Sequence, residues 1–460
     1  MTRSVDYLVV GAGASGLAFA DTLLDETDSD ILLVDRRAGV GGHWLDTYPF
    51  VRLHTPSAYY GVNSTPLGRD RIIESGRNRG FYEQASGAEV QDYFARVLRE
   101  RMLPSGRVEF LPRTEFLGDA DGVARLRDLD SDRVTEVAVR RRVVDARYQE
   151  ASIPATHAPS FAVDGDVAFV PVGRLPERAA DHDRFVVIGA GKTAADAALW
   201  LLDAGVGPSR IRWIRPRDMW VNDRAGLQPL AQVGALMAGL ADDAEAGAHA
   251  SDLVDFCHRL EDAGRLLRLD DDVEPTMFRG TMLSRAEWEV LRTIEDVVRL
   301  GRVRAVSASR IRLDDGEIPL EPGTLVIDCS ARGLSPAPPV PVFAGDTIRL
   351  QQVRHNSPTF NAALIAFVEA HRDDDAEKNR LTPPNPYPST PRDMATMLVR
   401  TWASSRVWQG EPDVQRWIDA SRLNLMRGLG ERMGDPRVRA AVQRFVTHVP
   451  EASRRLPALR

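Results

Sequence analysis

The residues able to do chemistry gather at two glycine loops. Gly11, Gly13 and Gly16, in YLVVGAGASGLAFADTLL, complete G-x-G-x-x-G directly after the apolar run Tyr7 to Val10. A strand, a tight glycine turn and a helix N-terminus together receive a pyrophosphate. The first glycine permits the turn, the second lets backbone approach phosphate, and the third lets helix pack on strand. A second apolar run, Ile31 to Val34, ends at Asp35, 24 residues after Gly11. A carboxylate there can accept both hydroxyls of an adenosine ribose.

The other loop lies in 185-FVVIGAGKTAADAALWLL-202, whose GKT raises a triphosphate alternative. A P-loop needs a glycine five residues before the one preceding Lys, and that position is Val186, inside an apolar run. Spacing therefore leaves Gly189-x-Gly191-x-x-Ala194, a second dinucleotide loop between the strand Phe185 to Ile188 and a helix from Thr193. In 211-IRWIRPRDMW-220 the position 24 residues beyond Gly189 is Trp213, and Arg215 and Arg217 follow. An arginine can hold a 2′-phosphate that an acid would repel, which points to NADPH. The competing reading pairs these arginines with Asp218 or Asp223. Lys192 is one of two lysines in the chain, the other being Lys378. A compact ammonium suits a crowded turn, so Lys192 is expected beside the nucleotide or a facing loop.

Positioning two such loops calls for an α/β fold of two nested Rossmann-like domains. Residues 1–150 begin the first domain, and 151–325 form the second, with 151–184 as the crossover and a helical insertion at about 226–300. Residues 326–460 complete the first domain and end in C-terminal helices; 324-TLVIDCSARGL-334 reads as a strand and glycine loop rejoining it. Within 284-SRAEWEVLRTIEDVVRLG-301, Ser284 and Glu287 form a capping box, and Trp288, Leu291, Ile294 and Val298 keep helical spacing. The five prolines of 382-TPPNPYPSTP-391 mark a linker to the helical tail.

The 460 residues suit two to four domains, and the net charge of -7 argues against a nucleic-acid partner. Cys257 and Cys329 stand far apart, outside any C-x-x-C, so no disulfide framework, dithiol centre or metal site is expected. No apolar run approaches the roughly 18 residues of a membrane span. The first 20 residues imitate a signal peptide, but Asp6 and the glycine pattern oppose that reading, leaving a cytoplasmic expectation.

The order of motifs, with 41-GGHWLDTYPFVRLHTPS-57 between the loops and R-P-R after the second, resembles the class B flavin monooxygenases: flavin-containing monooxygenases, N-hydroxylases and Baeyer-Villiger enzymes. The G-G-x-W and Y-P-x-x-R patterns are its most specific part, and it covers residues 1 to about 225 well and the remainder loosely. The resemblance implies FAD held by Gly11, Gly13, Ser15, Gly16, Asp35, Arg36, Gly42, Trp44, Arg52, Ala146 and Asp328. It implies NADPH on Gly189, Gly191, Lys192, Thr193, Ala194, Arg215 and Arg217. Reduced flavin would capture O2 as a peroxyflavin and oxygenate a small-molecule substrate. Arg52 would place positive charge beside the reduced flavin, and His54 would hydrogen-bond the peroxide or shuttle a proton, with Asn222 and Arg224 across the cleft. The plainer reading of His54 is a turn histidine bonding neighbouring backbone.

The chain also departs from the pattern. Residues 161-FAVDGDVAFVPVGRLP-176 lack the His and Trp of the Baeyer-Villiger signature, so heteroatom oxygenation is favoured. The usual A-T-G connectors appear as Ala146-Arg147-Tyr148 and as Ser330 to Leu334, and His54 stands where relatives commonly carry Asn or Asp. An FAD/NAD(P)H oxidoreductase without oxygen insertion and a catalytically silent nucleotide or redox sensor are the alternatives. W-x-W-x-I-P, expected of halogenases, is missing.

Overall fold

A computed structural model describes residues 3–149, 151–153, 155, 158–331, 333–334 and 337–460. Among them, the strand Arg3–Val10 lies inside an eight-stranded sheet, beside Ile31–Val34 and Val134–Asp145. It runs parallel to both, with Val10 opposite Val34 on one side and Asp145 on the other. Tyr7 to Val10 are all buried, as a strand covered on both faces requires. Alternation divides them: Tyr7 and Val9 face the glycine helix Ala14–Glu26 and the helix Pro358–His371, while Leu8 and Val10 face the hairpin formed by Thr114–Ala120 and Val123–Asp128.

The second sheet has five parallel strands among the described residues, in the order Val297–Val298, Ile211–Ile214, Arg184–Ile188, Thr324–Asp328, Phe169–Pro171. Phe185 and Val187 pack under the helix Lys192–Asp203, and Val186 and Ile188 pack against Val303 to Leu313 on the opposite face. Thr324–Asp328 was expected to rejoin the first domain. It pairs instead with Arg184–Ile188, Val326 opposite Val186. An apolar run of five residues announces a buried strand and carries nothing to choose between two parallel sheets. The first sheet is completed later, by Thr347–Arg349 parallel to Val134–Asp145 and then by Phe343–Ala344. Arg332, in the expected connector, lies outside the described residues.

The insertion is only partly helical. Val233–His249 and Leu253–Asp262 are helices, but Met277–Leu283 and Leu266–Leu267 flank Met219–Asp223 in a three-stranded sheet. The expected long helix starts at Arg285 under its Ser284–Glu287 capping box and stops at Leu291. Ile294 is buried in the turn beyond, and Val298 belongs to the second sheet. The proline-rich stretch is packed rather than loose, with the Asn385 amide donating to the Gln352 carbonyl at 2.7 Å. Beyond it, the helix Pro436–Arg455 lies along Val233–His249 so closely that a Cβ on Gly247 would come within 3.1 Å of the Ala452 Cβ. No helix among the described residues is long and apolar enough to cross a membrane.

Candidate functional site

The first glycine loop is held by backbone geometry that only glycine allows. Gly11 has φ +105°, and its amide donates to the Val34 carbonyl at 2.8 Å. A Cβ on Gly16 would collide with the Gly11 carbonyl oxygen, and one on Gly42 (φ +61°) would reach the Gly13 Cα at 3.0 Å. Gly42 thus lies on the loop, as does Ala146, whose Cβ would meet a side chain at Gly16 at 3.3 Å. Gly11, Gly13 and Ser15 are half-open, whereas Ala12, Ala14 and Gly16 are buried, so one side of the turn faces outward. The helix has no side-chain N-cap, which leaves its first amides for an anion.

Asp35 bonds the loop it closes. Its two carboxylate oxygens accept the Ala12 and Arg37 amides, each at 2.8 Å. Each oxygen retains a second lone pair, so the position expected to meet a ribose is preset by the chain itself. Arg36 is exposed beside it. Trp44 is buried, its indole N–H donating to the Tyr60 hydroxyl at 2.7 Å. Asp328, expected with this group, ends a strand of the second sheet and accepts the Ser330 amide at 2.8 Å.

At the second loop, Gly189 has φ +135°, and a Cβ there would come within 2.5 Å of the Cys329 carbonyl oxygen. Gly191 is open, with nothing within 4 Å of the corresponding position. Ala194 is fully buried, and Lys192 and Thr193 stand half-open at the helix start. Arg215 corrects the expectation: it is buried, stacked on Trp213 and paired with Asp218 at 3.1 Å. Asp218 also takes Arg299 at 2.7 Å. Arg217, two residues on, is exposed at the strand end.

The Tyr48 to His54 stretch joins the two domains. Tyr48 donates to Asp196 at 2.6 Å, Asp196 also pairs with Lys192, and Phe50 stacks on Trp200 with centroids 5.6 Å apart. Lys192 therefore meets a facing loop through Asp196. Asp196 was missed, although its i+4 offset from Lys192 on a helix announces such a pair. Burial and the neighbouring Asp196 carboxylate raise the Tyr48 phenol well above its ordinary value, so it stays a donor.

Across from this stretch, Arg224 is buried and reaches the His54 carbonyl at 3.4 Å, Glu287 at 2.7 Å, the Met282 carbonyl at 3.0 Å, and Asn78. Burial tends to raise the Glu287 carboxyl, but Arg224, the Ser284 amide and Asn78 outweigh it, and it sits below its ordinary value. Asn222 points elsewhere, its amide reaching the Thr281 carbonyl at 3.3 Å. Burial, then the charges of Lys192 and Arg224, push His54 well below the usual imidazole range. Its imidazole is therefore neutral at neutral pH. Arg52 is exposed and donates to the Gln84 carbonyl at 2.9 Å.

Two glycine loops, each following a parallel-paired strand of its own sheet and linked by the Tyr48 stretch, define a two-dinucleotide-domain fold of the flavin monooxygenase kind. Residues 9–60 match the NAD(P)-binding Rossmann-like domain. The structure is similar to the polycyclic ketone monooxygenase of the fungus Thermothelomyces thermophila, with TM-score 0.51 and 14% identity over 97% of this chain and 88% of that one. The chain belongs to the same family as the Mycobacterium tuberculosis protein called Uncharacterized protein Rv2000, being 42% identical to it over 443 residues, 96% of this chain and 81% of that protein. A probable FAD-binding monooxygenase, AlmA, from an Acinetobacter species is 31% identical over 105 residues, 22% of this chain and 19% of that one.

Proposed function

We propose that this protein is an NADPH-dependent FAD monooxygenase that oxygenates a small molecule, with heteroatom oxygenation favoured over the Baeyer-Villiger reaction. The observation that carries the reading is the pair of loops with opposite charge at their strand ends, Asp35 at the first and Arg217 at the second, joined through Tyr48 and Asp196. The uncapped helix start, the glycines that admit no Cβ and the preset Asp35 carboxylate fit the pyrophosphate and ribose of FAD at the first loop. Gly191, Lys192 and Thr193 fit the pyrophosphate of NADPH, and Arg217 its 2′-phosphate. When bound, FAD supplies hydride acceptance and oxygen activation. The chain's own part is to orient and to exclude water. Arg224, fixed by Glu287 and Asn78, brings a preorganised positive charge to the His54 backbone, and such charge acts strongly in a dry site. Neutral His54 offers a hydrogen bond there without moving a proton.

Anaerobic NADPH should bleach the yellow FAD-loaded protein. On mixing the reduced protein with oxygen in the absence of substrate, oxygenation requires a delayed return of oxidised-flavin absorbance, with hydrogen peroxide released only as that absorbance returns. Immediate return with stoichiometric hydrogen peroxide would instead establish an oxidoreductase without oxygen insertion. In His54→Ala, reduction should survive while hydrogen peroxide release rises, and an unchanged release would remove His54 from the mechanism.

A further inference from the structure

Four cations are buried among the described residues: Arg215, Arg224, Arg354 and Lys378. Three have a carboxylate, Asp218 at 3.1 Å, Glu287 at 2.7 Å and Glu369 at 2.6 Å respectively. Arg354 has none. Its guanidinium lies over the Phe360 ring, 3.4 Å from the centroid, and makes two long contacts of 3.4 Å, to the Asn424 side chain and the Leu423 carbonyl. Its Nε is buried without a partner. The backbone beneath is clasped by Asn361, which accepts the Arg354 amide and donates to its carbonyl, both at 2.9 Å. A guanidinium held in place, desolvated and short of an acid is a site awaiting an anion, and its planar fork matches a carboxylate.

Arg354 is also tied to the candidate reaction centre. Arg354 and Tyr59 interact electrostatically, as do Tyr59 and Tyr82. The Tyr82 amide donates to Gln228 at 2.9 Å, and Gln228 donates to the Arg224 carbonyl at 3.0 Å. Arg224 in turn reaches His54. We propose that Arg354 seats a carboxylate of the substrate, so that the molecule oxygenated is an organic acid with its reacting end toward His54 and Arg224. The proposal rests on the monooxygenase reading for what happens at that far end. The aromatic and aliphatic neighbours, Phe360 and Leu423, favour an acid with an apolar body.

Calorimetric titration of the FAD-loaded protein with benzoate and with benzamide tests the site, with inorganic phosphate as a control for unspecific anion binding. Benzoate should bind about ten- to a hundredfold more tightly than benzamide. Arg354→Met should abolish that preference, and Arg354→Lys should keep part of it. Equal binding of the two probes to the wild type, or an intact preference in Arg354→Met, would overturn the proposal, as would phosphate binding as tightly as benzoate. Should Arg354→Met not fold, the wild type and Arg354→Lys still decide. Flavin absorbance of the same samples separates the two readings. A protein that takes up no FAD sinks the monooxygenase while the benzoate preference stands, and loss of FAD in Arg354→Lys with the preference unchanged assigns the arginine to the cofactor.

Discussion

At the first glycine loop the strand-end acid turns back onto the loop, Asp35 bonding the Ala12 and Arg37 amides. At the second loop the strand-end arginine turns away, Arg215 sinking onto Trp213 and Asp218. The crowding differs in the same sense. Gly16 and Gly42 admit no further atom without displacing backbone, whereas Gly191 looks into open space. The lesson is that one spacing of glycines serves two kinds of seat. A loop locked by its own acid suits a dinucleotide that stays, and an open loop suits one that comes and goes.

The largest effect should come from the crowded position. Gly16→Val, forced into the Gly11 carbonyl, should cost about 3 kcal/mol or more and yield protein without FAD, whereas Gly191→Ala should melt like the wild type and lose only NADPH affinity. Equal melting of the two variants would erase the contrast. Asp35→Ala comes next: a ten- to a hundredfold loss of FAD affinity, about 1.5 to 3 kcal/mol, read by fluorescence titration of the apoprotein. Unchanged affinity would place the ribose elsewhere. Then Arg217→Ala should weaken NADPH about tenfold relative to NADH, roughly the value of one charge-assisted hydrogen bond, while Arg215→Ala should weaken both coenzymes alike. The reverse pattern would restore Arg215 as the 2′-phosphate ligand.

The smallest effect concerns His54, between the loops. Its pKa is depressed on folding, so the unfolded chain takes up its proton first and stability falls as pH drops below the ordinary imidazole value near 6.5. From pH 7 to 6 one such group removes about 0.7 kcal/mol, and the same drop in pH should lower the Tm less in His54→Gln than in the wild type. His43 and His355, pushed by burial to about 4 and about 3, act in the same direction and extend the loss toward acid.

What was legible in the sequence is what backbone sterics dictate. Gly11, Gly16 and Gly189 are required by positive φ or by contact with a carbonyl, so their spacing survives as a readable pattern. Apolar periodicity announced Thr324–Asp328 as a buried strand but not its sheet, because both sheets hold parallel strands covered on both faces. The strands within the insertion were hidden by neighbouring helical spacing. Side chains that act through tertiary partners were the least legible. Arg215 and Arg217 look alike in sequence, and only packing buries one and exposes the other. Arg354 belongs to no motif; its interest arises from an acid that is missing, and a single sequence does not show which residues will be neighbours.

The docking of the C-terminal helix on the insertion bears on how the chain is made. Val233–His249 leaves the ribosome long before Pro436–Arg455 exists to cover it, and Ala241 and Ala244 are fully enclosed only in the finished molecule. Synthesis proceeds from the N-terminus, and exposed apolar surface on a nascent chain invites aggregation. The helix Pro436–Arg455 therefore sets the moment at which the Val233–His249 helix becomes safe from self-association, and a stop codon before residue 436 would leave that surface open for the life of the chain.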